Sequence, residues 1–151
     1  MATRAAIDAE IAKMPEKRGA LLAALRLVQA EYGYLPPEVM EEVAQIFGLH
    51  PTEVFEVVSF YNHFHVQPRG RHEVNVCTSL TCSLRGGRGL LRQLQAYLGV
   101  RAGQTTEDGR ISLGHEECLG ACGNAPMLRI DDTYHLDLDW VRTQQLLDGL
   151  E

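Results

Sequence analysis

The sequence predicts an α+β protein in which a small helical bundle, residues 1–66, precedes a small α/β sheet domain, residues 67–151. Apolar residues recur at helical spacing through the first region, and that pattern changes near Phe60. Strand-like alternation begins only after a turn at Pro68-Arg69-Gly70, where we place the domain boundary. A chain of 151 residues is long enough to bury a core.

The first region begins with two predicted helices. A weak helix over Ala5–Met14 ends at Pro15, and a second runs from Lys17 to Tyr32, with Gly33 as its stop. Apolar residues in the second helix recur about one helical turn apart, which predicts that one face of this helix lies inward. These inward positions are Leu21, Leu25, Val28 and Tyr32.

Two further helices complete the first region. Pro36-Pro37 opens the third, which Gly48 ends, and Pro51 opens the fourth. The apolar positions are Val39, Val43, Ile46 and Phe47 in the third helix and Val54, Phe55, Val57, Val58 and Phe60 in the fourth. Because the fourth helix is apolar on nearly every side, we expect it to contact the rest of the chain or a partner.

The second region predicts the order β-α-β-β-β-α. The alternating segment HEVNVC is a strand that ends at Cys77, and a helix follows over Gly86–Leu98. A strand containing Ile111 and Leu113 then leads into Cys118. The cysteines therefore fall where strands give way to loops.

The last part of the chain predicts a hairpin and a helix. Met127–Ile130 and Tyr134–Leu136 are its strands, Asp131-Asp132 is its turn, and Asp137 is the expected cap of the helix. The expected inward face of that helix is Val141, Gln144, Leu147 and Leu150.

All four cysteines form the pattern C-x4-C-x35-C-x3-C, with Cys77 and Cys82 in the first pair and Cys118 and Cys122 in the second. Two pairs with no spare thiol predict one four-ligand metal site. Structural zinc sites commonly use tighter pairs. A C-x4-C opening suits the wider core of a [2Fe–2S] cluster, although the downstream spacing differs from that of plant ferredoxins. Spacing alone thus leaves zinc, two disulfides and an inert set as alternatives.

The neighbours of the cysteines favour an inorganic core. Gly120 and Gly123 let the second loop fold tightly, so that backbone N–H groups can point at sulfur. Arg85 and Arg88 follow Cys82 and could stabilise an anionic cluster, or could simply be solvated residues at the start of a helix.

Composition excludes some other functions. A net charge of −6 argues against a nucleic-acid partner, since phosphate-binding surfaces are usually basic. No apolar run approaches the length of a membrane span, and the amino terminus has neither a secretory nor a transit pattern. We therefore expect a cytoplasmic protein with reduced cysteines and no direct membrane insertion. As part of a larger complex, it could be peripheral to the inner face of the cell membrane.

With the cysteines so placed, nearly the whole chain resembles the 24-kDa-type subunit of NADH:quinone oxidoreductase, respiratory complex I. The motifs that carry the resemblance are VxSFY at 57–61, VCTSLTC at 76–82, GQTTEDG at 103–109 and ECLGACGNAPM at 117–127. The same module occurs in NAD-linked hydrogenases and formate dehydrogenases. The resemblance implies a thioredoxin-like ferredoxin domain after the helical segment.

The resemblance also implies the cofactor and the partner. The cluster would be [2Fe–2S], ligated by the matching residues Cys77, Cys82, Cys118 and Cys122. The partner would be a larger flavoprotein that binds NADH and FMN and exchanges single electrons with the cluster. The chain has no G-x-G-x-x-G fingerprint, so we expect no NADH oxidation by the chain alone. A zinc-stabilised adaptor without redox activity is the alternative of a different class.

Overall fold

The computed structural model describes residues 4–151, so the first three residues of the predicted helical region lie outside it. The chain divides into two compact units, Met1–Pro68 and Arg69–Glu151. The predicted α+β class is confirmed, with helices as the regular elements of residues 4–68 and a five-stranded sheet in the second unit. The helices are α1 Arg4–Ile11, α2 Leu21–Tyr32, α3 Pro37–Phe47, α4 Pro51–Phe60, α5 Leu80–Leu84, α6 Gly87–Leu98 and α7 Trp140–Asp148, with 3-10 helices at Lys17–Ala20 and Cys122–Asn124. The strands are β1 His72–Cys77, β2 Gln104–Thr105, β3 Ile111–Glu116, β4 Leu128–Ile130 and β5 Thr133–His135.

The helices of the first unit share one core. The fully buried side chains Ile7, Leu25, Val43 and Val54 come from α1, α2, α3 and α4 in turn. Both predicted stops are confirmed, because α2 and α3 end at glycines with left-handed backbone. The chain after α4 is held by Gln29, whose side-chain amide accepts from the N–H of His65 and donates to the carbonyl of His63.

Three apolar residues singled out in the first unit are exposed: one was predicted to lie inward, and two belong to the apolar surface expected on the fourth helix. Tyr32 is exposed at the last position of α2, and on α4 only Val54 and Val58 are buried, whereas Phe55 and Phe60 are exposed. Helical spacing identifies the apolar face, but it does not show how far the neighbouring helices cover that face. The apolar residues of α4 are therefore divided between the core and the exposed side of the helix.

The sheet of the second unit has the strand order β2-β3-β1-β4-β5. β1 and β3 are parallel, and the register pairs Cys77 at the end of β1 with Glu116 at the end of β3. β4 runs antiparallel to β1 on its other side, with Leu128 opposite Val76. The parallel pair requires a long crossover, which α6 supplies.

One face of this sheet packs against α6 and α7. Alternation along the strands places their apolar side chains on that face. The buried side chains of this core are Val74, Val76, Ile111, Leu113, Leu128 and Ile130 from the sheet, Leu90 and Leu94 from α6, and Leu138 and Leu147 from the end of the chain. On the other face the side chain of Asn75 is buried over Gly114, where a Cβ atom would overlap its oxygen.

Several details of the second unit differ from the prediction. The helix α5 and the two-residue strand β2 were not predicted, because segments this short have no measurable periodicity. α7 is capped by Asp139, which accepts from the N–H of Arg142, and not by Asp137. Asp137 instead has φ of 50° and bonds to Asn124. On α7 Thr143 and Leu147 are buried, whereas Val141 faces solvent.

No helix within residues 4–151 combines the length and the apolar character that crossing a membrane requires.

Candidate metal centre

The topology of the sheet brings both cysteine pairs to one edge. Cys77 is the last residue of the central strand β1, and Cys118 follows the end of the adjacent parallel strand β3 by two residues. Residues 117–127 then connect β3 to β4, on the opposite side of β1. This connection must cross the carboxyl end of β1, and it carries Cys118 and Cys122 past Cys77.

The first pair is buried and in contact. Cys77 and Cys82 have almost no exposed surface, and both belong to one buried cluster with Ala125 and Met127. The helix α5 turns the chain between them. It is held by the hydroxyl of Ser83, which donates to the carbonyl of Thr78 at 2.9 Å.

Their environments separate the pKa values of the two thiols. Burial opposes the thiolate of Cys77, but hydrogen bonds from the backbone of Ser79 and Leu119 and from Cys82 outweigh it and lower the pKa of Cys77. Burial raises the pKa of Cys82 to about 11, and its hydrogen bond to Cys77 and the charge of that thiolate add to the rise. The two thiols of the pair therefore differ in acidity, and metal ligation requires both of them as thiolates.

The second pair lies on the covering loop and is exposed. Leu119 and Ala121 pack against the buried cluster that contains Cys77 and Cys82, whereas Cys118 and Cys122 are exposed. The N–H of Gly120 donates to the sulfur of Cys118 at 3.4 Å.

The backbone conformation of this loop requires glycine at only one of its two glycine positions. Gly120 has φ of +80°, which side chains with a Cβ atom rarely adopt. Gly123 has no positive φ, and a Cβ atom there would meet no atom within 4 Å. The loop backbone therefore requires glycine at Gly120, whereas the expected role of Gly123 beside the cluster stays a prediction.

Hydrogen bonds tie the two cysteine segments to each other. The Nε of Arg85 donates to the carbonyl of Ala125 at 3.3 Å, so a residue next to the first pair holds the loop of the second. Thr78 donates to the carbonyl of Glu116 through its N–H and through its hydroxyl. Arg88 bonds through its Nε to the hydroxyl of Ser83. Both arginines that the sequence singled out therefore have structural partners at this edge.

Helix α6 begins directly against the first pair. A Cβ atom on Gly87 would lie 2.8 Å from the carbonyl oxygen of Cys77 and 2.9 Å from that of Cys82. The close approach therefore requires glycine at this position. The sequence predicts a helix from Gly86 but not this contact, which appears only when the fold brings α6 against both cysteines.

The donor set fits an iron–sulfur cluster in its chemistry. All four cysteines of residues 4–151 are free thiols, which contradicts the disulfide alternative. The structure brings Cys77 and Cys82 together in one buried cluster and places Cys118 and Cys122 on the loop that crosses the end of β1. Within the described residues, no three His, Cys, Asp or Glu side chains converge at metal-binding distance.

Comparison with known proteins identifies the family. The profile described as thioredoxin-like [2Fe–2S] ferredoxin matches residues 7–151. The chain belongs to this family. The fold of this ferredoxin is therefore thioredoxin-like, as the resemblance implied, and its cofactor is a [2Fe–2S] cluster.

Individual relatives of this ferredoxin are parts of larger enzymes. It is 43% identical to one of the NADH-quinone oxidoreductase subunits of Rhizobium meliloti, over 99% of this chain and 89% of the relative. It is 37% identical to NADH-quinone oxidoreductase subunit 2 of Thermus thermophilus, over 95% of this chain and 81% of that one. The solved structure of a NAD+-reducing [NiFe]-hydrogenase superposes on 85% of this chain with a TM-score of 0.75 at 28% identity. The ferredoxin spans only 22% of that hydrogenase chain.

Proposed function

We propose that this ferredoxin is the electron-transfer subunit of a complex I-type NADH dehydrogenase, in which it exchanges single electrons with the FMN of a partner flavoprotein that binds NADH. The observation that carries the proposal is the loop over β1, which brings two cysteines to the edge where Cys77 and Cys82 already lie. The identity to subunits of NADH-quinone oxidoreductase over almost the full chain supports this parent complex.

The proposed ligands are Cys77, Cys82, Cys118 and Cys122. When bound, the cluster supplies reversible one-electron transfer without proton or substrate chemistry. The chain's own residues position the sulfurs and exclude water from the first pair. The N–H groups of Leu119 and Gly120 point at sulfur, which stabilises negative charge at the site.

A diaphorase subunit of a NAD-linked hydrogenase or formate dehydrogenase is the second candidate function. The structural similarity to the NAD+-reducing hydrogenase, with a TM-score of 0.75, favours it. The two candidates share the cluster and the flavoprotein partner, and they differ in the rest of the complex. In either case we place the chain in the cytoplasm. For the complex I candidate we place it at the inner face of the cell membrane.

The test uses the chain together with the flavoprotein subunit of its complex, under anaerobic conditions. NADH should reduce the cluster only when the flavoprotein is present, as seen by an EPR signal that appears on mixing. A Cys82→Ser variant should lose the cluster, whereas Thr81→Ala, a change at an exposed position of the same helix, should retain it. A chain that NADH reduces without any flavoprotein would contradict the proposal.

A further inference from the structure

An exposed apolar pair lies beside the first two cysteines. Leu80 and Leu84 are 77% and 80% exposed, and no large apolar side chain of residues 4–151 is more exposed than Leu84. They are four positions apart and share one face of α5. Cys82, between them, is fully buried. The helix therefore presents a cysteine inward and two leucines outward.

Arginines follow this pair along the chain, in a protein that is acidic overall. No Asp or Glu occurs between Cys77 and Thr106, and four arginines do, in a protein of net charge −6. Three of them, Arg85, Arg88 and Arg92, lie at the end of α5 and the start of α6. The leucine pair is thus an apolar centre with a basic rim, and this combination is typical of an interface.

A hollow of about 500 Å³ adjoins the rim. Arg85, Gly89, Arg92, Pro126 and Trp140 are among the residues that line it. The carboxylate among its described lining residues is that of Asp139, which is engaged in capping α7. Two arginines thus line the hollow, where they could pair with an acidic side chain of a partner.

We propose that the Leu80–Leu84 pair and the Arg85–Arg92 hollow form the docking surface for the flavoprotein subunit, whose facing surface is apolar at its centre and acidic at its rim. This inference rests on the proposed function, since a partner that exchanges electrons must reach the edge where the cysteines lie. A second copy of this chain fits the surface less well. A two-fold dimer through this surface would place arginines against arginines.

The test measures binding of the flavoprotein subunit to the full-length, cluster-loaded chain. In the apolar arm, the test variant is Leu80→Ser/Leu84→Ser. Its control is Val141→Ser, which changes an apolar residue of α7 that is 63% exposed. In the charge arm, Arg92→Glu is compared with Arg101→Glu, which lies in the same acid-free stretch beyond α6. Iron content and the EPR spectrum of each reduced variant show that its cluster is intact.

We expect the double leucine variant to raise the Kd about 10- to 100-fold at every salt concentration, because it removes a central apolar contact. Arg92→Glu should raise the Kd about tenfold at low salt and less at high salt, since salt screens exposed charges. Both controls should stay within about twofold of the parent chain.

Two results would overturn the docking surface alone. One is a double leucine variant with an intact cluster that binds the flavoprotein as tightly as the parent chain. The other is a parent chain that forms a dimer which the leucine substitutions dissociate, because the surface would then serve a second copy. Failure of the parent chain itself to bind the flavoprotein would instead overturn the proposed function.

Discussion

Substituting alanine for Gly87 tests the contact between α6 and the first cysteine pair. The added Cβ atom would lie 2.8 Å from the carbonyl oxygen of Cys77, about 0.6 Å inside the 3.4 Å at which ordinary contact begins. Both nearest atoms are backbone oxygens, so neither can rotate away and the start of α6 must shift. Overpacking of this kind costs about 1–3 kcal/mol. The better helix propensity of alanine returns up to about 1 kcal/mol, which leaves a net loss of stability.

The matched control is Gly89→Ala, in the same helix. A Cβ atom on Gly89 would meet only the end of the Arg92 side chain, at 4.0 Å. The free energy of unfolding should therefore rise by up to about 1 kcal/mol, from helix propensity alone. The two substitutions make the same chemical change, so the difference between them isolates the contact with the cysteines.

The assay is urea unfolding followed by tryptophan fluorescence. The chain has a single tryptophan, Trp140, which packs edge-on against Tyr97 in the second unit, so its signal follows that unit alone. We expect Gly87→Ala to unfold at lower urea than the parent chain and to hold less iron, and Gly89→Ala to unfold at equal or higher urea. If Gly87→Ala matched Gly89→Ala in both stability and iron content, the reasoning from this contact would be refuted.

Three further predictions concern the loop of the second pair, the cap of α7 and the helical unit. Gly120→Ala should cost about 1–2 kcal/mol from its left-handed backbone and shift the EPR spectrum of the cluster, whereas Gly123→Ala should change both by little; equal effects would contradict the distinction. Asp139→Ala should lower the free energy of unfolding by about 1 kcal/mol, measured by the same fluorescence assay, and an unchanged midpoint would show that the cap is dispensable. Removing residues 1–66 should leave a fragment that assembles the cluster but co-purifies poorly with the flavoprotein; equal co-purification would reduce those helices to a support for the fold.

Most regular elements could be predicted from the sequence because they carry their own signals. β1 alternates in hydropathy, and α3 begins at a proline and ends at a glycine. Shorter elements such as α5 carry no such signal and form because the surrounding chain holds them. Asp137 and Asp139 are equally good caps by type, and only the left-handed backbone of Asp137 removes it from that role.

The cysteine spacing predicted a four-thiol site, but spacing contains no information about which strands are neighbours. The crossing of β1 by the loop that carries Cys118 follows from the strand order. The hydrogen bond from Arg85 to Ala125 joins residues that are distant in sequence. The close approach to both cysteines involves Gly87, which has no side chain to mark it in the sequence. Contacts of this kind become visible only in the folded chain.

The most direct test of the central claim is the metal content of anaerobically prepared protein together with its EPR spectrum. Iron and acid-labile sulfide should each be present at about two per chain, with a rhombic signal only after one-electron reduction. Substituting serine for any one of Cys77, Cys82, Cys118 and Cys122 should remove or alter that signal. Stoichiometric zinc with no sulfide, or a normal cluster signal in all four serine variants, would contradict the account.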